Sequence, residues 1–154
     1  MAVEIIPASF RDLSYVAANI RPEDKAECEA QMGEIHYMDL AAMHLRDFTN
    51  IALLDGNPVC AFGACRAQGE HLWAAWSFST RRVAPAIPAV TRHIKRVMIP
   101  EITALPEAQR VEARAMAANV MACRWLRLMG ATERCDLPGY GRGGELFKLY
   151  DWTR

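Results

Sequence analysis

Apolar residues in the first third of the chain alternate between strand-like and helix-like spacing. The short run Val3 to Ile6 predicts a first strand. From Phe10 to Ile20 apolar residues recur every three or four positions, which predicts a helix. A second helix is predicted to start at Arg21-Pro22-Glu23-Asp24, because proline suits a first turn and carboxylates favour the positive end of the helix dipole. Gly33 should end it, and a third, short helix is predicted from about Met38 to Arg46.

The middle of the chain changes to the spacing of strands. Asn50 to Leu54 and Val59 to Cys65 flank Asp55-Gly56-Asn57-Pro58, and the Asp-Gly pair predicts a β-hairpin. A further strand is predicted from His71 to Phe78. Its nearly continuous apolar run indicates a central strand that is buried on both faces.

The C-terminal half predicts an alternation of helices and strands. Apolar residues from Ile87 to Ile102 share one helical face, and Pro100 should kink or break that helix. Arg110 to Ala115 alternates as a strand, and a helix from about Asn119 to Met129 should stop at Gly130. The last predicted elements are a Gly-rich hinge loop between two final strands and the second of those strands, at Gly139–Gly144 and Leu146–Trp152.

Composition predicts one packed domain over residues 1–154. Hydrophobic residues make up 52% of the 154-residue chain and are spread along its whole length, which argues against disorder. Lys+Arg and Asp+Glu number 18 each, so no net charge attracts the chain to nucleic acid or to an anionic membrane. A local basic face remains compatible with this balance.

Cysteine and histidine spacing predicts neither a disulfide framework nor a metal site. The five cysteines are odd in number and include no Cys-x-x-Cys pair, so we expect reduced, buried thiols. The four histidines do not cluster as ligands. The N-terminus lacks the pattern of a signal peptide, and no apolar stretch is long enough for a membrane span. We therefore expect a cytoplasmic protein.

The order of predicted elements resembles that of the GNAT (Gcn5-related N-acetyltransferase-like) superfamily. Asn50 to Cys65 is similar to that family's hairpin with a "dGxPv" turn. Val111 to Gly130 is similar to its "N-x-x-A…lG" strand and helix, with Asn119 and Ala122 in the motif positions. The resemblance implies an α/β (α+β) fold with a mixed central sheet flanked by helices.

A narrower resemblance is to the GNAT-like internal virion and assembly proteins of tailed, T7-like phages. Ile20 to Glu27 and Cys123 to Ala131 are the segments similar to that group. The resemblance implies protein partners among virion components. The alternative is that the two segments are an ordinary capped helix start and an ordinary amphipathic helix.

The GNAT family holds the pyrophosphate of acetyl-CoA on a glycine-rich loop at the start of a helix. This chain has no glycine between Gly69 and Gly130, and Pro85 and Pro88 remove two N–H donors. If the protein is nevertheless active, the resemblance implies cofactor contacts near this loop. Arg81 and Arg82 could instead be solvated loop charges. The candidate cofactor-binding residues are Phe78, Thr80, Arg81, Arg82 and Asn119.

The family's general acid is also missing. The tyrosine that protonates the leaving thiolate falls on Leu126, which cannot donate a proton. Tyr140 could replace it, although a tyrosine in a Gly-rich loop is usually an exposed aromatic. Glu70 and His71 stand at the predicted head of the central strand and are weak candidates for the general base. The alternative for this pair is a solvated turn.

These residues lead to three functional hypotheses. The first is a catalytically degenerate GNAT-fold protein that acts by binding, without a cofactor, in virion assembly or packaging. The second is an active acetyl-CoA-dependent N-acetyltransferase that acts on a small-molecule or protein amine. The third is a small interaction module that modifies the behaviour of a host protein, which an exposed apolar patch involving Trp152 or Phe147 would favour. The sequence predicts neither a partner's identity nor the oligomeric state.

Overall fold

The computed structural model describes all 154 residues and contains one seven-stranded sheet with the strand order β1-β2-β3-β4-β5-β7-β6. The strands are β1 Val3–Pro7, β2 Asn50–Leu54, β3 Asn57–Gln68, β4 Leu72–Ser79, β5 Arg110–Met116, β6 Thr132–Leu137 and β7 Phe147–Thr153. The helices are α1 Phe10–Ala18, α2 Pro22–Met32, α3 Tyr37–His44, α4 Ile87–His93, α5 Ile99–Thr103 and α6 Val120–Leu128. A 3₁₀ turn, Ala84–Ala86, precedes α4.

The sheet is mixed because one strand pair is parallel. All neighbours pair antiparallel except β4 and β5. The α4–α5 segment connects those two parallel strands, as a crossover must. The helices α1, α2 and α3 cover one face of the sheet and enclose a smaller core that includes Leu13, Leu40 and Phe78. The helices α4, α5 and α6 cover the other face over the main core. The predicted mixed sheet flanked by helices is confirmed.

Three predicted turns are confirmed by backbone conformation. Asp55 and Gly56 both have positive φ, 50° and 80°, which matches the twist of the β2–β3 hairpin. Gly33 follows α2 with φ 78°, and Gly130 follows the last residues of α6 with φ 91°. Glycine adopts these left-handed conformations without a steric penalty, so it ends both helices.

The prediction that β4 is buried on both faces is wrong. Trp73 and Phe78 are buried, but Ala74, Ala75 and Trp76 are half-buried and Ser77 is exposed. The reason is that β4 pairs with β5 only at Leu72–Ala74, opposite Arg110–Glu112. Beyond residue 74 the strand has lost its neighbour on one side.

Pro100 does not break the helix that follows β4. The chain passes from α4 through a π-helical turn, Ile94–Met98, into α5, and Pro100 is the second residue of α5. Proline lacks an N–H and its ring clashes with the carbonyl four residues earlier. The wider π turn placed before it relieves both problems, so the apolar face continues to Ile102, which is fully buried.

The predictions about the cysteines agree with the structure only in part. All five cysteines are unpaired, but Cys135 on β6 is exposed and not buried as expected. No group of three or more potential metal-ligating side chains comes together. None of the helices combines the length and apolar character that crossing a bilayer requires.

The helix α2 is tied to the end of β4 by a buried carboxylate. Asp24 is 6% exposed and its Oδ2 accepts hydrogen bonds from the N–H and the hydroxyl of Ser79, both at 2.8 Å. The Nε of Arg21 lies 2.9 Å from the same oxygen. Two hydrogen bonds and an ion pair to one buried oxygen stabilise the fold, because removing the carboxylate would leave the buried Ser79 donors and the Arg21 charge without a partner.

We expect Asp24→Asn to lower the free energy of unfolding by about 2–4 kcal/mol, because a neutral amide oxygen accepts more weakly from Ser79 and leaves the Arg21 guanidinium without its counter-charge. Urea unfolding measures the change. The matched control is Glu23→Gln, at an exposed and unpaired neighbour, which should change stability by less than about 0.5 kcal/mol. Equal effects of the two substitutions would contradict the assigned role of Asp24.

Candidate functional site

A cleft opens where β4 and β5 diverge. Thr80 donates its N–H to Val59 O on the β3 side of β4, whereas the Ser79 N–H points the other way, to Asp24. Because backbone groups alternate in direction along a strand, the N–H and C=O groups of Ser77 also point away from β3 and into the cleft. The strand β5 does not reach them, since the two strands pair only as far as Ala74 and Glu112.

The cleft has two unequal halves on the two faces of the sheet. Towards α4 and α6 it contains an apolar cavity of about 70 Å³ that Ile94, Met98, Trp125 and Leu126 help to line. Towards α2 and α3 it widens into a more polar depression of about 410 Å³. Six residues line both halves: Glu27, Ala75, Trp76, Ser77, Ala113 and Arg114.

Two carboxylates on α2 occupy the edges of the cleft. Asp24 accepts from Ser79 on β4, as described above, and Glu27 Oε1 accepts from the N–H of Met116 on β5. Residues three apart on a helix share one face, so both side chains point into the same opening. The helix α2 therefore connects the two diverging strands through one backbone hydrogen bond to each.

Burial gives Glu27 an unusual protonation equilibrium. Desolvation inside the cleft raises the pKa of Glu27 to about 7, against the opposing effect of the hydrogen bond from Met116. The charge of nearby Asp24 also raises the pKa. A carboxylate with a pKa near 7 exchanges protons at neutral pH and can act as a base or an acid there. Neither Glu27 nor its partnership with Asp24 was predicted from the sequence.

The groove between α4 and α6 is bridged by a tryptophan. Trp125 Nε1 donates to the hydroxyl of Thr91 on α4 at 2.7 Å, and its half-buried indole packs against the main core. Beside it, Leu126 is 9% exposed and belongs to the main core. The two side chains fill the space between the helices, which explains why only the small cavity remains.

The architecture matches known structures over nearly the whole chain. A GNAT superfamily phosphinothricin acetyltransferase from Sinorhizobium meliloti, in complex with acetyl-CoA, superposes with a TM-score of 0.75 at 12% identity, covering 99% of this chain and 89% of that one. A putative acetyltransferase from Salmonella typhimurium with its cofactor acetyl-CoA gives 0.74 at 10% identity, over 99% and 94%. An N-acetyltransferase from Staphylococcus aureus Mu50 gives 0.74 at 12% identity, over 99% of each chain. This chain has the GNAT fold.

At these identities the likeness establishes the fold and nothing finer. No family model matches the sequence, and no curated protein matches it either. The chemistry of the GNAT-fold cleft must therefore be judged from the side chains and backbone groups that are present in it.

The weak base candidates Glu70 and His71 lie outside the cleft. Both are exposed in the β3–β4 turn, at the end where β4 and β5 are still paired. The His71 carbonyl accepts from Gln109 and Arg110, so the turn caps the start of β5. Neither side chain lines the open part of the cleft.

Tyr140 is held at the rim of the sheet. Its ring lies 5.1 Å from that of Phe147, and the Arg114 guanidinium lies 5.6 Å from the centre of the Tyr140 ring. Tyr140 is 42% exposed and does not line either half of the cleft. The contact nevertheless orients Arg114, a cleft residue that the sequence analysis did not single out.

Two of the candidate cofactor contacts are structural in this geometry. The side chain of Phe78 is buried in the core beneath α1 and α3 and stacks 5.5 Å from Trp76. Thr80 is buried, and its hydroxyl accepts from the N–H of Arg82 at 3.3 Å. These contacts shape the loop after β4. The buried Phe78 forms part of the lining of the polar half of the cleft, whereas Thr80 lines neither half.

The remaining candidates stand at the edge where β4 and β5 end. Arg81 and Arg82 are exposed and form no ion pair. Asn119 is 9% exposed and caps α6, because its Oδ1 accepts from Ala122 at 3.3 Å. The motif asparagine of the GNAT resemblance thus has a local structural role here, as a helix N-cap.

The pKa of Glu27 predicts a specific dependence of stability on pH. The folded-state pKa, about 7, lies above the ordinary glutamate pKa of 4.5, so the folded protein binds the proton more tightly than the unfolded chain does. Stability from this group is therefore complete at low pH and is lost as the pH rises through about 7. We expect Glu27→Gln to remove that loss, because a glutamine cannot ionise but can still accept from Met116.

Urea unfolding of both proteins at pH values from about 5 to about 8 measures this difference. As the pH rises, the free energy of unfolding of Glu27→Gln should increase relative to that of the unmodified protein. Stability curves that stay parallel over this range would contradict a raised pKa at Glu27.

Proposed function

We propose that this protein is a GNAT-fold binding protein that does not perform acetyl-CoA chemistry. The observation that supports this most directly concerns the loop after β4, where a cofactor pyrophosphate would need free backbone N–H groups. Six N–H groups there already donate within the protein, and Pro85 and Pro88 have none to offer. The six belong to Ser79, Thr80, Arg82, Val83, Ala86 and Ile87.

An anion-binding turn works because successive backbone N–H groups point outwards at the ligand. In this chain the N–H groups of Val83, Ala86 and Ile87 turn inwards to form the 3₁₀ turn, with acceptors at Thr80, Val83 and Ala84. The residues present therefore do not fit acetyl-CoA in the manner of the family. Arg81 and Arg82 could supply charge, but they do not replace the lost backbone cradle.

The half of the cleft between α4 and α6 offers little space for such a cofactor. It measures about 70 Å³, whereas small-molecule sites usually occupy about 300–1,000 Å³ and the half towards α2 and α3 measures about 410 Å³. The Trp125–Thr91 hydrogen bond holds the two helices together across it. The core position of Leu126 further removes the general acid that the family places there.

Isothermal titration with acetyl-CoA tests the proposal. We expect no saturable heat up to about millimolar cofactor, since the backbone donors are already used. An active GNAT enzyme titrated with the same cofactor stock is the control. Micromolar affinity together with turnover on any amine would overturn the proposal.

Glu27 favours a second candidate, an N-acetyltransferase with an altered cofactor pocket. A carboxylate with a pKa of about 7 inside the cleft suits a general base that acts on an amine at neutral pH. In this case Arg81 and Arg82 would supply the phosphate contacts, with Asn119 nearby. If acetyl-CoA binds, Arg81→Ala/Arg82→Ala should weaken binding at least tenfold, and unchanged affinity would remove this candidate too.

The structure disfavours an interaction patch at Phe147 or Trp152. Phe147 is fully buried, and Trp152 is half-buried with its Nε1 bound to the Met129 carbonyl at 3.1 Å. Neither side chain offers an exposed apolar surface. The large exposed apolar side chains lie elsewhere, most prominently on α6.

A role in the assembly of a tailed-phage virion is the biological setting that we propose for the binding function. Support comes from the sequence resemblance of Ile20–Glu27 and Cys123–Ala131. In the first segment, Arg21, Asp24 and Glu27 contact the sheet, so the fold by itself explains why these residue types occur there. The second segment includes exposed residues of α6, and no contact within the fold explains their residue types.

The neighbouring genes test this setting. Capsid and portal genes beside this gene, with the protein present in purified virions, would support it. A gene within a cellular metabolic operon would contradict it. Neither result depends on the titration with acetyl-CoA.

A further inference from the structure

The near-zero net charge conceals a strong separation of charge along the chain. Residues 1–75 contain eleven acidic and five basic residues, whereas residues 76–154 contain seven acidic and thirteen basic ones. The helices α1–α3 belong to the first part and α4–α6 to the second, and the two groups lie on opposite faces of the sheet. On the helices themselves, α1–α3 carry six acidic and two basic residues, whereas α4–α6 with the π turn between α4 and α5 carry one acidic and five basic ones. The protein therefore has an acidic helical face and a basic helical face.

The cations on the α4–α6 side are free of partners. No acidic residue occurs between Glu70 and Glu101 or between Glu112 and Glu133. Six exposed cations on this side form no ion pair. We call these residues the basic face: Arg81, Arg82, Arg92, Lys95, Arg96 and Arg124.

The topology places these cations next to one another. Since β4 and β5 are parallel, the helices that follow them start at the same edge of the sheet and run in the same direction. The hydrogen bond between Trp125 and Thr91 fixes their register. Arg124 of α6 therefore lies level with Arg92 of α4, while Arg81 and Arg82 lie near the start of α6.

Large apolar side chains are exposed within the same surface. On α6, Val120 is 52% exposed, Met121 69% and Leu128 62%. Met121, Arg124 and Leu128 follow helical spacing and form one outward stripe. A surface that mixes unpaired cations with exposed apolar side chains, and has Glu101 as the one acidic residue on its helices, attracts an anionic partner that also accepts apolar groups.

We propose that the basic face docks this protein peripherally onto an anionic lipid surface. Cations would contact the lipid phosphates while Met121 and Leu128 enter the headgroup region. The unpaired, exposed carboxylates of the opposite face, such as Glu23, Glu34 and Asp39, would then point away from the lipid. This separation orients the molecule as it approaches.

Other anionic partners fit the surface less well. Nucleic acid would neutralise the cations but would leave the apolar stripe in water. A peptide needs a groove, and the groove between α4 and α6 is filled by Trp125. A lipid surface requires neither a groove nor sequence-specific contacts. The inference goes beyond the proposed binding function and does not depend on whether acetyl-CoA binds.

Co-sedimentation of the full chain with vesicles tests the proposal. We expect binding to phosphatidylcholine vesicles that contain phosphatidylglycerol, little binding to pure phosphatidylcholine, and weakening with added salt. Arg92→Glu/Arg96→Glu should lower partitioning roughly twentyfold or more, at about fivefold per charge removed. Met121→Ser/Leu128→Ser should lower it roughly tenfold, because the apolar contribution is lost.

The control is Arg11→Glu/Lys25→Glu, which makes the same change in net charge on exposed residues of the acidic face. It should leave vesicle binding nearly unchanged, and circular dichroism should show that all variants are folded. Failure to bind anionic vesicles, or equal loss in the control, would overturn the proposal. So would tight binding to a DNA duplex that is insensitive to Met121→Ser/Leu128→Ser, since that result identifies nucleic acid as the partner.

Discussion

The structure depends on how the protein provides hydrogen-bond partners for backbone N–H groups of β4 and β5, the two strands that diverge inside its sheet. After three residue pairs β4 and β5 separate, and each strand leaves N–H groups without a neighbouring strand. A buried N–H group without an acceptor lowers the stability of the fold, so buried amides at the opening need acceptors from another part of the chain. Asp24 and Glu27 of α2 accept from Ser79 and Met116, and the two carboxylates thereby connect the diverging strands.

The same groups limit what the cleft can bind. The Ser79 N–H is used by Asp24, the donors after it form the 3₁₀ turn, and Trp125 closes the groove between α4 and α6. Each feature is a contact within the chain, so a cofactor would have to displace it before binding. This use of backbone donors within the chain is the observation on which our proposal of a binding function without acetyl-CoA rests.

Local rules predicted most of the fold, whereas contacts between distant segments decided the site. The Asp55–Gly56 turn and the helix ends at Gly33 and Gly130 follow from backbone conformations that neighbouring residues determine. The short pairing of β4 with β5 does not follow from local conformation, because the residues that pair, such as Leu72 and Arg110, are 38 positions apart in the sequence. The sequence places Glu27 in the helix predicted to start at Arg21, and only the position of Met116 in the folded chain reveals its role in the cleft. Similarly, a balanced composition gave no indication that the charges separate onto two faces.

The central claim, that the two carboxylates of α2 occupy the Ser79 and Met116 amides at the edges of the cleft, can be tested amide by amide. Hydrogen exchange followed by NMR reports the protection of the Ser79 and Met116 N–H groups without and with acetyl-CoA. We predict slow exchange at both amides in the free protein and no change on adding the cofactor. Rapid exchange in the free protein, or new protection from Arg81 to Ile87 when acetyl-CoA is added, would contradict the account.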